Sequence, residues 1–157
     1  MNSINRFPQV EGRQAPVPYR KRKPILVLTR VGNLLFTSGH GPEDQITGKP
    51  LFAGRIGRDL TAEEGYQAAR ECGKILIGAL RDHLGTLDSV KSIVKMTALL
   101  NVEEGFCDLD GVADGFSDLM TEVFDQRGYH VRTLMGTHNL PNGNIPIEIE
   151  MIVEVAG

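Results

Sequence analysis

Residues 61–85 read TAEEGYQAARECGKILIGALRDHLG, and this stretch decides the fold class because it carries the start, face and end of one long helix. Thr61 with Glu64 three residues later makes a capping box, which marks the first residues of a helix. Gly85 marks its end. Apolar residues recur at three-and-four spacing, so one face of this helix is expected to pack against a core. They are Tyr66, Ala69, Cys72, Ile75, Leu76, Ala79 and Leu80.

Strands are predicted on both sides of this helix. Residues 25–31 and 34–38 are apolar runs, and Gly32-Asn33 between them favours a tight hairpin. Residues 50–53 are a candidate short edge strand. After the helix, residues 90–102 (VKSIVKMTALLNV) are typical of a strand in a sheet with one covered face.

A second helix is predicted from Asp110 or Val112 to Gln126, with Gly128 as its C-terminal cap. The residues expected on its buried face are Phe116, Leu119, Met120, Val123 and Phe124. Two further strands, residues 130–135 and 145–155, follow on either side of a turn-rich segment at 140–144.

The element order β-β-(β)-α-β-α-β-β indicates an α+β fold, with two helices on one face of a mixed, mainly antiparallel sheet. Successive strand residues point to opposite faces, so the apolar residues of the later strands cannot all contact the helices. A second buried face implies a partner subunit. The residues that require it are Leu99, Leu100, Leu134, Met135, Ile149 and Ile152.

Composition places the chain among ordinary globular proteins. Its 157 residues fit one domain, at 41% hydrophobic and 24% charged residues. No stretch approaches the roughly 20 apolar residues of a membrane span. The N-terminus lacks the apolar run of a secretory signal, and Cys72 and Cys107 form no CxxC pattern, so a cytoplasmic protein with both cysteines as small core residues is predicted.

The N-terminal region differs from the rest in charge. Residues 1–24 are rich in proline and predict an extended basic arm, before a single domain at 25–157. Residues 1–30 hold seven Arg and Lys against one Glu, a balance of +6, which leaves −9 for the remainder because the whole chain carries −3. Two interpretations stay open: an arm for nucleic acid, or a solvated segment that neutralises an acidic body. No aromatic residue lies within the basic run at residues 20–23, which argues against nucleic acid.

Arg132 is the first candidate site residue, near the middle of a predicted strand. A guanidinium keeps its charge, so it must find an anion. Its partner is either Glu148 or Glu150 in an internal salt bridge, or water at an exposed edge, or the carboxylate of a bound ligand. His130 lies two residues earlier and therefore on the same strand face.

Glu148 is the second candidate. With Glu150 and Glu154 it forms the polar face of the last strand, which simple exposure explains. Brought into an apolar cleft, the same carboxylate would be a proton donor. Ser38 and Gly39 end an earlier strand, where backbone amides and a hydroxyl could hold an oxyanion or a water. No histidine pattern predicts a metal, and no phosphate-binding glycine motif predicts a cofactor.

Four stretches together resemble the RidA (YjgF) family of reactive-intermediate (enamine/imine) deaminases, as a divergent branch. They are residues 31–40 (VGNLLFTSGH), the helix at 61–85, residues 130–133 (HVRT), and Leu140-Pro141 followed by residues 147–150 (IEIE). The resemblance implies a chorismate-mutase-like fold and a homotrimer with three clefts between subunits. It also implies that no cofactor takes part.

The resemblance also implies roles for residues. Arg132 would bind the carboxylate of a small-molecule substrate, and Glu148 would position or protonate the water that converts an enamine or imine to a 2-keto acid and ammonia. Ser38 and Gly39 would line the same cleft. His130 and Thr133 flank Arg132 as further candidates for substrate binding. Asp114 stands where the best-known branch has an asparagine in the cleft, and its charge would weaken the binding of an anion unless a cation offsets it.

Two other functions remain compatible with the sequence. One is a trimeric protein that binds a small carboxylate metabolite without turnover, for which Arg132 alone would suffice. The other is an RNA-cleaving or translation-inhibiting activity, which the basic arm favours and the acidic body opposes.

Overall fold

Five strands form one mixed sheet in the order β1-β2-β5-β3-β4 in the computed structural model, which describes residues 25–157. The strands are β1 (Leu28–Val31), β2 (Leu34–Thr37), β3 (Val90–Asn101), β4 (Val131–Thr137) and β5 (Ile147–Val155). Strand β4 is parallel to β3, and the other neighbours are antiparallel. The prediction of a basic arm at residues 1–24 lies outside the described residues.

Two long helices cover one face of the sheet. Helix α1 (Ala62–Leu84) begins at the predicted capping box, where Thr61 Oγ1 accepts from the Glu64 amide at 3.1 Å and Glu64 Oε2 accepts from the Thr61 amide at 2.8 Å. It ends at Gly85, whose φ is 74°. Helix α2 (Leu109–Phe124) begins at Asp108, which accepts from the Gly111 amide at 3.0 Å. The predicted α+β fold is confirmed, with the element order β-β-α-β-α-β-β and an additional short helix, Pro141–Asn144, before β5.

The core lies between these helices and the sheet. All five residues predicted for the buried face of α2 are at most 3% exposed. The sheet divides its apolar residues as the alternation rule requires. Leu100 and Ile149 are fully buried beneath the helices. The opposite side of the sheet is called the far face, and Met135 on it is 57% exposed.

The far face keeps a set of apolar side chains that no described element covers. They are Leu34, Phe36, Leu99, Val131, Met135 and Ile152, of which Val131 is 66% exposed. This exposed apolar surface corresponds to the second apolar sheet face that the sequence predicts.

Two local predictions are wrong. Residues 50–53 form no strand, since only an isolated bridge joins Pro50 to Glu43, and proline lacks the amide that a ladder needs. Helix α2 ends at Phe124 and continues as a 3-10 turn, Asp125–Gly128, so that Asp125, with φ of 52°, takes the capping position expected of Gly128. Gly128 is needed for a different reason, because a side chain there would overlap the Met120 carbonyl oxygen.

Candidate functional site

Arg132 lies on edge strand β4 and is held by helix α2. It is in register with fully buried Met96, so its side chain leaves the sheet on the face that the helices cover. Its Nη1 donates to Asp114 Oδ1 at 2.8 Å and its Nη2 to Asp110 Oδ1 at 2.8 Å. The internal salt bridge to Glu148 or Glu150 that the sequence left open is therefore not the pairing that forms.

Helix spacing explains why α2 supplies these acceptors. Asp110 and Asp114 are four residues apart, and Ser117 follows three residues later, so all three lie on one face of the helix. Arg132 Nη1 also donates to Ser117 Oγ at 3.2 Å. Asp110 and Ser117 were not among the predicted site residues, although this spacing opposite a strand arginine was a signal for them.

His130 extends the cluster through Ser117. Its Nδ1 lies 2.7 Å from the Gly128 carbonyl oxygen, which can only accept, so Nδ1 carries the proton. Its Nε2, 3.0 Å from Ser117 Oγ, then accepts from that hydroxyl. Burial lowers the pKa of His130, and the positive charge of Arg132 lowers it further. The ring is therefore neutral near pH 7, and its Nε2 holds the Ser117 hydroxyl in place.

Charge within this cluster is not balanced. Burial by itself would lower the pKa of Arg132, but its hydrogen bonds to Asp114 and Asp110 more than offset this and raise the pKa above its ordinary value. Among residues 25–157, one cation thus pairs with two carboxylates in this cluster, a balance of −1. Arg132 Nε makes no hydrogen bond within residues 25–157, unlike Nη1 and Nη2.

A second cluster, formed by Ser38, Gly39 and Glu148, lies where the regular pairing of β2 with β5 is interrupted. Phe36 pairs with Ile152 and His40 with Ile149, so the β2 side has one residue more between the two pairs than the β5 side. This irregularity places Gly39 against Glu148. A Cβ on Gly39 would overlap Glu148 Oε1 and lie 2.9 Å from its Cδ.

Ser38 is adjacent in sequence but is turned toward the residues before β1. Its amide donates to the Val27 carbonyl at 2.8 Å, and its Oγ donates to the Leu26 carbonyl at 2.6 Å. The hydroxyl proton is thereby engaged, which leaves the oxygen as an acceptor for a ligand.

The two clusters do not meet within one chain. Strand β3 lies between β4 and β5, so two strand spacings, about 10 Å, separate the strands of Arg132 and Glu148. The two residues are also offset by three residues along β3, about another 10 Å, because Arg132 is opposite Met96 and Glu148 is opposite Leu99. The two side chains also point to opposite faces, since Glu148 is in register with Leu99 on the far face. Thr133 is exposed on the far face of edge strand β4 and joins neither cluster.

Residues 25–157 contain neither a metal-binding cluster nor a membrane-spanning helix. No group of three or more His, Cys, Asp or Glu side chains there is placed to hold a metal ion. None of the helices in this part of the chain is both long and apolar enough to cross a bilayer. Cys72 is a core residue as predicted, and burial raises the pKa of its thiol, whereas Cys107 is exposed, contrary to the prediction.

Comparison with known proteins defines the class. Residues 24–152 match the family model described as "YjgF/chorismate_mutase-like, putative endoribonuclease". The chain therefore belongs to the YjgF family.

Three relatives illustrate this membership. "Protein TCP17" of Trypanosoma cruzi is 35% identical over 125 residues, which are 79% of this chain and 76% of that protein. A Shewanella oneidensis MR-1 protein described as "a putative endoribonuclease" superimposes with a TM-score of 0.86 at 28% identity, over 99% of this chain and 100% of that one. Atu1372 of Agrobacterium tumefaciens, of unknown function, gives 0.81 at 29% identity over 85% and 84%.

Proposed function

We propose that the protein hydrolyses reactive enamines and imines of the 2-aminoacrylate type to 2-keto acids and ammonia, in clefts between the subunits of a homotrimer. The observation that carries this proposal is the placement of Arg132 and Glu148 on opposite faces of one sheet. A site that uses both residues then requires two copies of the chain.

The far face of the sheet supports assembly. Its uncovered apolar residues include Val131 and Met135 on β4, the strand that also carries Arg132. In a closed ring, each copy would offer the β4 edge to one neighbour and the Glu148 face to the other. Burial of the apolar residues would stabilise such a ring.

Arg132 would recognise the carboxylate common to these substrates. Its Nε and Nη2 form a planar edge that matches a carboxylate with two parallel hydrogen bonds. The bonds from Nη1 to Asp114 and Ser117 hold the guanidinium in one orientation before the ligand arrives. A preorganised cation binds a small acid without first losing side-chain freedom.

Glu148 would handle the water and the protons. A 2-aminoacrylate tautomerises to an imine, and water adds to its C2 to give a carbinolamine. Glu148 takes the proton from the attacking water and passes it to the nitrogen, which completes the neutral carbinolamine. A second transfer, from the carbinolamine hydroxyl through Glu148 to the amino nitrogen, forms the C2 carbonyl as the C–N bond breaks and ammonia leaves. The rest of the rate acceleration would come from holding the imine and the water in the reactive orientation. Gly39 and the Ser38 oxygen would line this side of the cleft.

The test is a decay assay on short-lived imines that an amino-acid oxidase generates from neutral amino acids. Wild type should accelerate the decay, and Arg132→Ala and Glu148→Gln should each lose at least about tenfold, roughly the contribution of one charge-assisted contact. Glu150→Gln is the matched control, since Glu150 is exposed on the same strand and face. Equal decay with and without wild-type protein would reject the proposal.

Binding without turnover is one alternative. It predicts that a stable 2-keto acid binds at equilibrium in an Arg132-dependent manner while imine decay is unchanged. RNA cleavage is the other, favoured by the descriptions of the family and of the Shewanella relative. It predicts RNA binding that falls steeply with salt and is lost when residues 1–24 are deleted.

A further inference from the structure

We infer that Asp110 and Asp114 are specificity-determining residues, which favour imines that carry a positive charge in addition to the carboxylate, such as those of basic amino acids. This inference rests on the proposed function. It concerns which substrate the Arg132 side of the cleft accepts.

The geometry restricts how a carboxylate can reach Arg132. Both terminal nitrogens already donate to carboxylates, Nη1 to Asp114 and Nη2 to Asp110, each at 2.8 Å. The ligand is left with the edge formed by Nε and Nη2. An anion there lies beside the Asp110 carboxylate, which shares Nη2 with it.

The charge balance then disfavours an anionic ligand. The side chain of Arg132 is 24% exposed and supplies one positive charge, while Asp110 and Asp114 supply two negative charges. A substrate with a single negative charge raises the local excess of negative charge, and a dicarboxylate raises that excess further. A substrate with an added guanidinium or ammonium group restores neutrality by pairing with one of the aspartates.

Exposure sets the size of the effect. The side chain of Asp110 is 82% exposed and that of Asp114 is 49% exposed, so both can turn toward a cation at the mouth of the cleft. Solvent and salt screen such pairs, which limits each to about a three- to fivefold preference.

A purely structural role makes a different prediction. If the aspartates only anchor Arg132, then asparagine, whose amide oxygen still accepts from the guanidinium, preserves the function at every substrate. If their charge selects the substrate, Asp→Asn changes the ratio of rates between substrates of different charge.

The experiment compares imines made from arginine, leucine and glutamate, with wild type, Asp110→Asn, Asp114→Asn and the double variant. The wild type should prefer them in that order. Each single change should lower the arginine-to-glutamate ratio of kcat/KM about three- to fivefold, and the double change about tenfold or more. Asp118→Asn is the matched control one turn along α2, because Asp118 accepts from the Tyr66 hydroxyl at 2.9 Å instead of from Arg132.

The outcomes separate the two proposals. Hydrolysis of all three imines with a ratio that the Asp→Asn changes leave untouched would overturn this inference and leave the deaminase proposal standing. If folded wild type hydrolyses none of them, the deaminase proposal fails. In that case, equilibrium binding of the three corresponding 2-keto acids decides the inference. The quantity compared is then the arginine-to-glutamate ratio of binding affinities in wild type and in the Asp→Asn variants.

Discussion

The carboxylate of Glu148 occupies the space beside Gly39 in which any other residue would place its Cβ. Gly39 is therefore required by the position of a neighbouring acid, although its own backbone φ is not positive. The pair fixes one wall of the proposed cleft.

Gly39→Ala is expected to displace Glu148 and to lower imine hydrolysis at least about tenfold, since small misplacements of reacting groups are costly. The protein should still fold, with a free energy of unfolding lowered by about 1–3 kcal/mol, because a flexible side chain can move aside. Urea unfolding and kcat/KM measure the two effects.

Gly78→Ala provides the control for this change. A Cβ at Gly78 meets nothing within 4 Å, and the residue lies inside α1. Alanine there should raise stability by about 0.5–1 kcal/mol and leave hydrolysis unaltered. Full activity in Gly39→Ala would show that Gly39 does not set the position of Glu148.

His130 should titrate below the ordinary histidine pKa of about 6.5, since burial disfavours its charged form. The unfolded chain binds this proton more readily than the folded one, so stability from this residue is present above about pH 6.5 and is lost as pH falls through the folded pKa. Nitrogen-detected NMR should show the proton on Nδ1 at neutral pH. A titration at or above the ordinary value, or a proton on Nε2, would contradict the proposed contact with Ser117.

Asn101 should be a strong contributor to stability next to the start of β5. It is fully buried, and its Nδ2 donates to Asn144 Oδ1 at 2.9 Å and to the Gly54 and Ile145 carbonyls at 3.3 Å. Asn101→Ala leaves buried acceptors without this donor and should lower the free energy of unfolding by about 1–3 kcal/mol.

Asn33→Ala is the comparison for Asn101→Ala, because Asn33 is exposed and its side chain donates one hydrogen bond within residues 25–157, to Glu154 Oε1 at 3.1 Å. It should change stability by no more than about 0.5 kcal/mol in the same urea titration. Equal losses in the two variants would remove the special role assigned to Asn101.

The sequence predicted those parts of the fold whose signals are local. Helix α1 carries both of its caps within its own residues, and β3 is a long apolar run, so both were placed within a residue or two. The position of the α2 cap was missed. Gly128 is a glycine because it touches the Met120 backbone, a contact that composition does not reveal.

The candidate site was harder to predict from the sequence, for the same reason. Arg132 and Glu148 could be chosen as residues, but their placement on opposite faces depends on β3 lying between their strands. The pairing of Arg132 with Asp110 depends on where α2 packs against β4. Sequence spacing offered both aspartates on one helix face without saying which strand that face would meet.

Mixing two inactive variants tests the central claim, that each site takes Arg132 from one copy and Glu148 from another. Arg132→Ala and Glu148→Gln chains would be co-expressed in equal amounts with different tags, purified through both tags and assayed on imine decay. Every mixed trimer holds both intact residues at one of its three sites, so about a third of wild-type activity should return. Activity no higher than that of either variant alone, in mixed assemblies shown to contain both chains, would contradict a site shared between subunits.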